Sequence, residues 1–251
     1  MAIASNIEIR LVDPKNISDA QIQDATNVWI EAFQDNPLFR ALTNADASLY
    51  TRYMHSTLLA ALNDGQVYFA TSPSSPGTGF DAACGGSASA SKDRLIGVAA
   101  WYPPGMAPGL LVAPDDGDAL AENSKTKIDD GFETLFADFP PQHHTWWFEY
   151  FIPKKKSHTS LTLGKDGKQA SWNLQMIGVR PEAQRRGVAR QLIEFVYQNV
   201  AKSGEKFCLE TDEEPTVEVY KKLGFSIVGE PEEYHSPVTD FKIWVMARTK
   251  D

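Results

Sequence analysis

Gln184-Arg185-Arg186-Gly187-Val188-Ala189 lies between an apolar run, Leu174 to Val179, and an amphipathic run from Arg190 to about Lys202. That order predicts a strand, a tight turn and a helix. The first amide N–H groups of such a helix have no partner within it, so its start is an anion site. Gly187 lets the backbone come close to a ligand, and Ala189 stays small for the same reason. Arg185 and Arg186 add positive charge beside those amides. The stretch reads as a cradle for a diphosphate.

Two familiar cradles are excluded. A dinucleotide fingerprint places Gly-x-Gly-x-x-Gly directly after a first strand, whereas here Pro181, Gln184 and two arginines precede Gly187 late in the chain. A Walker loop needs Gly-Lys-Ser/Thr, which is absent. The pattern is Gln-x-x-Gly-x-Ala.

The chain has 251 residues, 42% hydrophobic and 23% charged, enough for a real core. Its 24 basic and 33 acidic residues give a net charge of −9, which argues against nucleic acid as a partner. No run approaches membrane-spanning length. Met1 to Ser5 lacks the basic and apolar regions of a signal peptide, so a cytoplasmic protein with no membrane partner is expected. Cys84 and Cys208 form neither a disulfide framework nor a metal-ligand spacing, and no metal is expected.

Ile7 to Val12, Gln66 to Thr71, Leu95 to Tyr102 and Lys206 to Glu210 read as strands, as do Phe225 to Val228 and Phe241 to Ala247. Helices are predicted from Ser18 to Phe33, ended by Asn36-Pro37, from Ala47 to Leu62, and over Pro215 to Leu223. Asp118 to Phe139 is helical in pattern, with a break at Asp130-Gly131. Trp146 to Ile152 reads as an aromatic strand. Ser72 to Arg94 has little to bury and reads as a disordered hairpin-loop insertion. Pro153 to Ala170, with Lys154-Lys155-Lys156 and a hairpin turn at Asp166-Gly167, reads as a solvated basic loop.

Beyond the turn stands Tyr220-Lys221-Lys222-Leu223-Gly224-Phe225. The turn and this Tyr-x-x-Leu-Gly-Phe element together resemble the GCN5-related N-acetyltransferase (GNAT) superfamily, best over Trp172 to Arg248. Phe207 to Thr211, Val98 to Gly105 and Ala32-Phe33 with Asn36-Pro37-Leu38 resemble its puromycin acetyltransferase-like branch. The resemblance implies an α/β fold: a twisted, mostly antiparallel mixed sheet flanked by helices, its central strands splayed near Val179. It implies one domain over residues 1–251, with insertions at about 72–94 and 153–170.

The resemblance also implies acetyl-coenzyme A as co-substrate. The strand Ile177-Gly178-Val179 then pairs its backbone, at Ile177 and Val179, with the pantetheine amides. The amides of Arg186, Gly187, Val188, Ala189 and Arg190 hold the pyrophosphate, with Gln184, Arg185 and Arg186 in the same turn. Thr216 aligns where family members often have Asn. Tyr220 matches the family's general acid. Tyrosine titrates near 10 and a thiol near 8.5, so Tyr220 stays protonated at neutral pH and can donate to the departing sulfur.

Glu210, at the end of a strand, and Glu149, in an aromatic run, are candidate bases. His143-His144 reads as a loop. Among the aromatics, Phe33, Trp101, Tyr102 and Trp147 are candidate lining for the acceptor. The expected reaction is direct acetyl transfer to a primary amine of a small molecule. Alternatives are acetylation of a protein N-terminus or lysine, and an acyl-coenzyme A sensor without turnover. The family often forms homodimers.

Overall fold

The computed structural model describes residues 7–73, 93–106 and 129–251. The Cys84 position, nearly all of the first expected insertion and the start of the helix expected from Asp118 lie outside them.

Helix α1 (Asp19–Ala32) begins in a capping box: Ser18 accepts from the Gln21 N–H and Gln21 answers to the Ser18 N–H. Its apolar face buries Ile22, Ala25, Val28 and Trp29. Asn36-Pro37 ends one helix and also starts another, α2 (Pro37–Leu42), because the Asn36 side chain caps it and Pro37 fits the first turn. Helix α3 (Ala47–Asp64) is capped by Asp46, which accepts from the Ser48 and Leu49 amides.

Strands β1 (Glu8–Leu11), β2 (Gln66–Ser72), β3 (Arg94–Tyr102), β4 (Trp172–Val179), β5 (Lys206–Thr211), β6 (Ser226–Ile227) and β8 (Phe241–Thr249) run in the order β1-β2-β3-β4-β5-β8-β6. The short β7 (Glu232–Tyr234), which the sequence reading passed over, also pairs with β8. Among the described residues only β4 and β5 are parallel, and every other pair is antiparallel. One face carries α1, α2, α3 and the aromatic segment near Trp147; the other carries α7 (Val188–Asn199) and α8 (Glu214–Lys222). No helix among the described residues is long and apolar enough to cross a membrane.

Two expectations are overturned in the middle of the chain. After α4 (Phe132–Ala137) and α5 (Pro141–Thr145), Trp146–Phe151 is a π-helix and not a strand. It runs into α6 (Ile152–Leu163), so the basic segment is a helix, and Asp166-Gly167 turns from that helix into β4, not between hairpin strands. The reason is burial: Lys155 and Lys168 have a carboxylate to meet inside the fold.

Candidate active site

The parallel ladder between β4 and β5 is short. It pairs Trp172 with Phe207, Asn173 with Cys208 and Leu174 with Leu209, and then stops. Beyond it β4 stays on β3 up to Val179, and β5 stays on β8 up to Thr211. The sheet therefore opens from Gln175, earlier than the Val179 expected, and the open stretch contains Ile177, Gly178 and Val179. An edge of this kind offers unpaired backbone groups to an extended ligand. Gln184 Nε2 donates to the Val179 carbonyl at 3.1 Å, so this side chain supports the edge. Gly178 is needed for packing: a Cβ there would lie 2.6 Å from the Trp29 ring of α1.

At the far end of β4 the chain turns through a single 3₁₀ turn, Pro181–Ala183, into α7. Gly187 sits at the N-cap with φ +84°, in the left-handed region that favours glycine, and no side chain caps the helix. The first amides of α7, from Val188 through Arg190, thus lack a side-chain acceptor, and open space surrounds the Gly187 Cα. Arg185 also has a positive φ, +59°, which an arginine adopts only at a cost of about 1–3 kcal/mol. Arg185, Arg186 and Arg190 are exposed beside these amides. A third nearby arginine is used differently. Arg180 is buried, pairs with Asp24 at 2.5 Å and with Glu31, and donates Nε to the Leu95 carbonyl, tying α1 to the turn.

Tyr220 lies in α8, 7% exposed, its ring edge-on to Phe225 at 5.9 Å. Burial pushes its phenol well up, and Asp212 pushes it further. Among the described residues its hydroxyl has no hydrogen-bond partner. Asp212 is a neighbour that sequence reading missed. Burial raises its carboxyl to about 6 against the Asn36 hydrogen bond, which is 2.9 Å long. Thr216, one turn before Tyr220, gives its hydroxyl to Glu213 at 3.4 Å.

The two carboxylates expected as bases are placed otherwise. Glu149 is exposed on the π-helix, and its aromatic neighbours do not cover it. Glu210 is buried in an ion cluster: it accepts from Lys155 at 2.5 Å, Lys168 at 2.9 Å and the Thr159 hydroxyl at 2.7 Å. Burial alone would raise its carboxyl, but the two ammoniums more than reverse this and hold it far below the usual range. Such a group has little affinity for a proton, so the geometry makes it an anchor and a poor base. His143 is a core residue on α5, its Nε2 3.0 Å from the Leu42 carbonyl.

Where the sheet opens, a cavity reaches in from the α2 and α3 side. Tyr53, Tyr102, Trp147 and Phe151 line it, with Gln175 and Thr211 at the split and the Lys155–Glu210 pair in its wall. Two of the four expected lining aromatics, Tyr102 and Trp147, are there. Trp101 is not: adjacent residues of a strand face opposite ways, and Trp101 packs edge-on to Phe207 at 5.7 Å on the other face of the sheet. Phe33 stays outside the cavity and packs on Phe39 at 4.8 Å.

An open strand edge, a glycine-led helix without a side-chain cap, a buried tyrosine and a cavity at the split define the GNAT fold. Comparison with known proteins agrees. Residues 156–227 match the family described as Acetyltransferase (GNAT) domain. The crystal structure described as histone acetyltransferase HPA2 and related acetyltransferase from Corynebacterium glutamicum is similar over 98% of this chain and 97% of its own, at 15% identity and a TM-score of 0.52. Arylalkylamine N-acetyltransferase 2 from Aedes aegypti is similar over 97% of this chain and 100% of its own, at 14% identity and a TM-score of 0.52. At these identities the likeness is one of fold. The sequence matches no curated protein. Residues 156–227 thus resemble a GNAT acetyltransferase domain, and the fold of the chain is that of the GNAT structures.

Proposed function

We propose that the chain, as one domain over residues 1–251, transfers an acetyl group from acetyl-coenzyme A to a primary amine of a small molecule. The observation that carries this reading is the aromatic-walled cavity meeting the open β4 edge at Gln175 and Thr211. A protein substrate needs an open groove for extended chain, whereas walls of Tyr53, Tyr102, Trp147 and Phe151 suit a compact acceptor. The likeness to the puromycin acetyltransferase-like branch, whose acceptor is also small, supports the same reading.

The residues present fit the co-substrate. The α7 amides from Val188 to Arg190 would hold its pyrophosphate, with Arg185 and Arg186 neutralising charge, and the Ile177 and Val179 backbone would pair with its amide groups. Bound there, it supplies an activated acyl group and a thiolate leaving group. Tyr220 keeps its proton across the working range, because burial and Asp212 both oppose ionisation. Full transfer of that proton to a thiolate, whose thiol titrates near 8.5, would be uphill, so Tyr220 would act chiefly by giving its hydroxyl as a hydrogen bond to the charge developing on the sulfur. The amine must lose a proton before attack, since an aliphatic ammonium titrates near 10. Asp212, raised to about 6, is a better acceptor for it than Glu210.

Turnover of acetyl-coenzyme A across an amine panel tests the reading. Tyr220→Phe should lower kcat about 10²-fold or more, in the range of a lost general acid, with the dissociation constant of the coenzyme nearly unchanged. Intact kcat with weakened coenzyme binding would remove the acid role. Coenzyme binding without product from any amine would favour a sensor.

A further inference from the structure

A second cavity lies against the first, bounded by α6, the turn that follows it and the start of β4. Lys155, Lys156, Lys165 and Lys168 line it together with Thr159 and Ser160, and no carboxylate among the described residues does. Lys155 lines both cavities. We propose that the acceptor amine carries an anionic group, a carboxylate or a phosphate, which seats among these lysines while its apolar body fills the aromatic cavity. The inference rests on the acyl-transfer reading above.

The charge balance points this way. Among the described residues, Glu210 is the one carboxylate paired with Lys155 and Lys168, and it serves both. That leaves one buried positive charge unmatched. Lys156 and Lys165 have no ion-pair partner among the described residues, and both are exposed at the cavity. Burying an unmatched charge is costly unless a counter-charge joins it. The strain is visible in Lys155, which burial, with Lys168 adding, pulls down to about 8 in spite of Glu210. An anion beside Lys155 would restore its proton affinity, and the Ser160 hydroxyl could add a hydrogen bond, the Thr159 hydroxyl being already given to Glu210.

The coenzyme's phosphates do not account for the cavity. It includes Asn173, near the start of β4, whereas the phosphate turn follows Val179 at the other end. At about 3.3 Å per strand residue the two are roughly 20 Å apart, with the opening of the sheet between them. An acceptor in the aromatic cavity can therefore present its amine to the split and its anionic end to the lysines.

The test compares benzylamine, 4-(aminomethyl)benzoate and 4-(aminomethyl)benzylphosphonate as acceptors, with wild type and with the exposed pair Lys156→Glu/Lys165→Glu. The expected result is a kcat/KM at least about tenfold higher for one or both anionic amines than for benzylamine, a preference that the double variant abolishes. Preference for the benzoate or the phosphonate separates the two anions. Equal or lower kcat/KM for both in wild type, or a preference that survives charge reversal, overturns the proposal. Calorimetry with benzoate alone keeps the two readings apart. If no amine is turned over, the acyl-transfer reading and the acceptor assignment fall together. Benzoate binding that the double variant loses would then still establish the lysine cavity as an anion site, and absence of binding would refute it.

Discussion

Glu210→Gln removes one charge from the cluster at the root of the split and leaves the volume almost unchanged. The carboxylate, 16% exposed, now meets two ammoniums, 16% and 22% exposed, at 2.5 and 2.9 Å, and accepts the Thr159 hydroxyl. The amide would leave two buried cations facing each other with no counter-charge. Breaking a buried pair in this way costs about 3–5 kcal/mol. For a chain of this size each kcal/mol moves Tm by about 2–4 °C, so the loss should be about 6–20 °C at pH 7. Thermal unfolding followed by circular dichroism reads it. The sign with pH is also set. Glu210 has a folded pKa far below its unfolded value near 4.3, so its stabilisation is present above that value and is lost as pH falls below it. Wild type should therefore converge on the variant in acid. Adding Lys155→Met should recover part of the loss, because it removes one stranded ammonium. A stability loss under about 1 kcal/mol combined with a large fall in kcat would refute the argument and return Glu210 to the role of base.

Gly187→Val should lose about 1–2 kcal/mol in denaturant titration, since a β-branched residue resists the left-handed backbone, and should weaken acetyl-coenzyme A in calorimetry; unchanged stability would contradict the φ of +84°. Arg180→Met should cost about 1–3 kcal/mol and loosen α1, read by hydrogen exchange over Asp24 to Glu31; Asp24 and Glu31 are partly exposed and rehydrate, which keeps the figure low. Asp212 has a folded pKa raised from 3.8 to about 6, so its penalty is absent below about pH 4 and grows as pH rises through 6. Asp212→Asn should therefore gain about 2–3 kcal/mol at pH 7 and flatten that slope, while amine acetylation falls; a variant less stable at pH 7 than wild type would show the carboxylate to be needed as a cap for α2.

The strands other than β7, with α1, α3 and α7, were legible because their apolar residues repeat at the period of the element they form. The turn at Gly187 was legible because a left-handed N-cap and two arginines leave a local mark. What failed depended on partners distant in sequence. Lys155 and Lys168 read as solvated because their carboxylate lies 55 and 42 residues away. Asp212 drew no notice in the sequence because Asn36, its partner, stands 176 residues earlier. Trp146-Trp147-Phe148-Glu149-Tyr150-Phe151 is aromatic almost throughout, so no period separated strand from helix. Trp101 and Tyr102 differ by one residue, and only the register of β3 decides which of them reaches the cavity.

The second insertion is therefore part of what holds the site open. A parallel pair that ends at Leu174 and Leu209 exposes backbone groups on both strands, and such an edge would ordinarily close or aggregate. Glu210 is the first residue of β5 beyond that ladder. Its side chain is gripped by Lys155 and Thr159 of α6 and by Lys168 of the following turn, all within residues 153–170. While β8 holds the other edge of β5 up to Thr211, the cluster fixes this strand end away from β4. Lys155 lines the aromatic cavity, and both lysines line the one beside it. Support for the split and recognition of the acceptor thus reside in one set of charges. A substitution made there to retune the acceptor should also move Tm, whereas exchange of the exposed Arg186 at the α7 turn should act on the coenzyme alone.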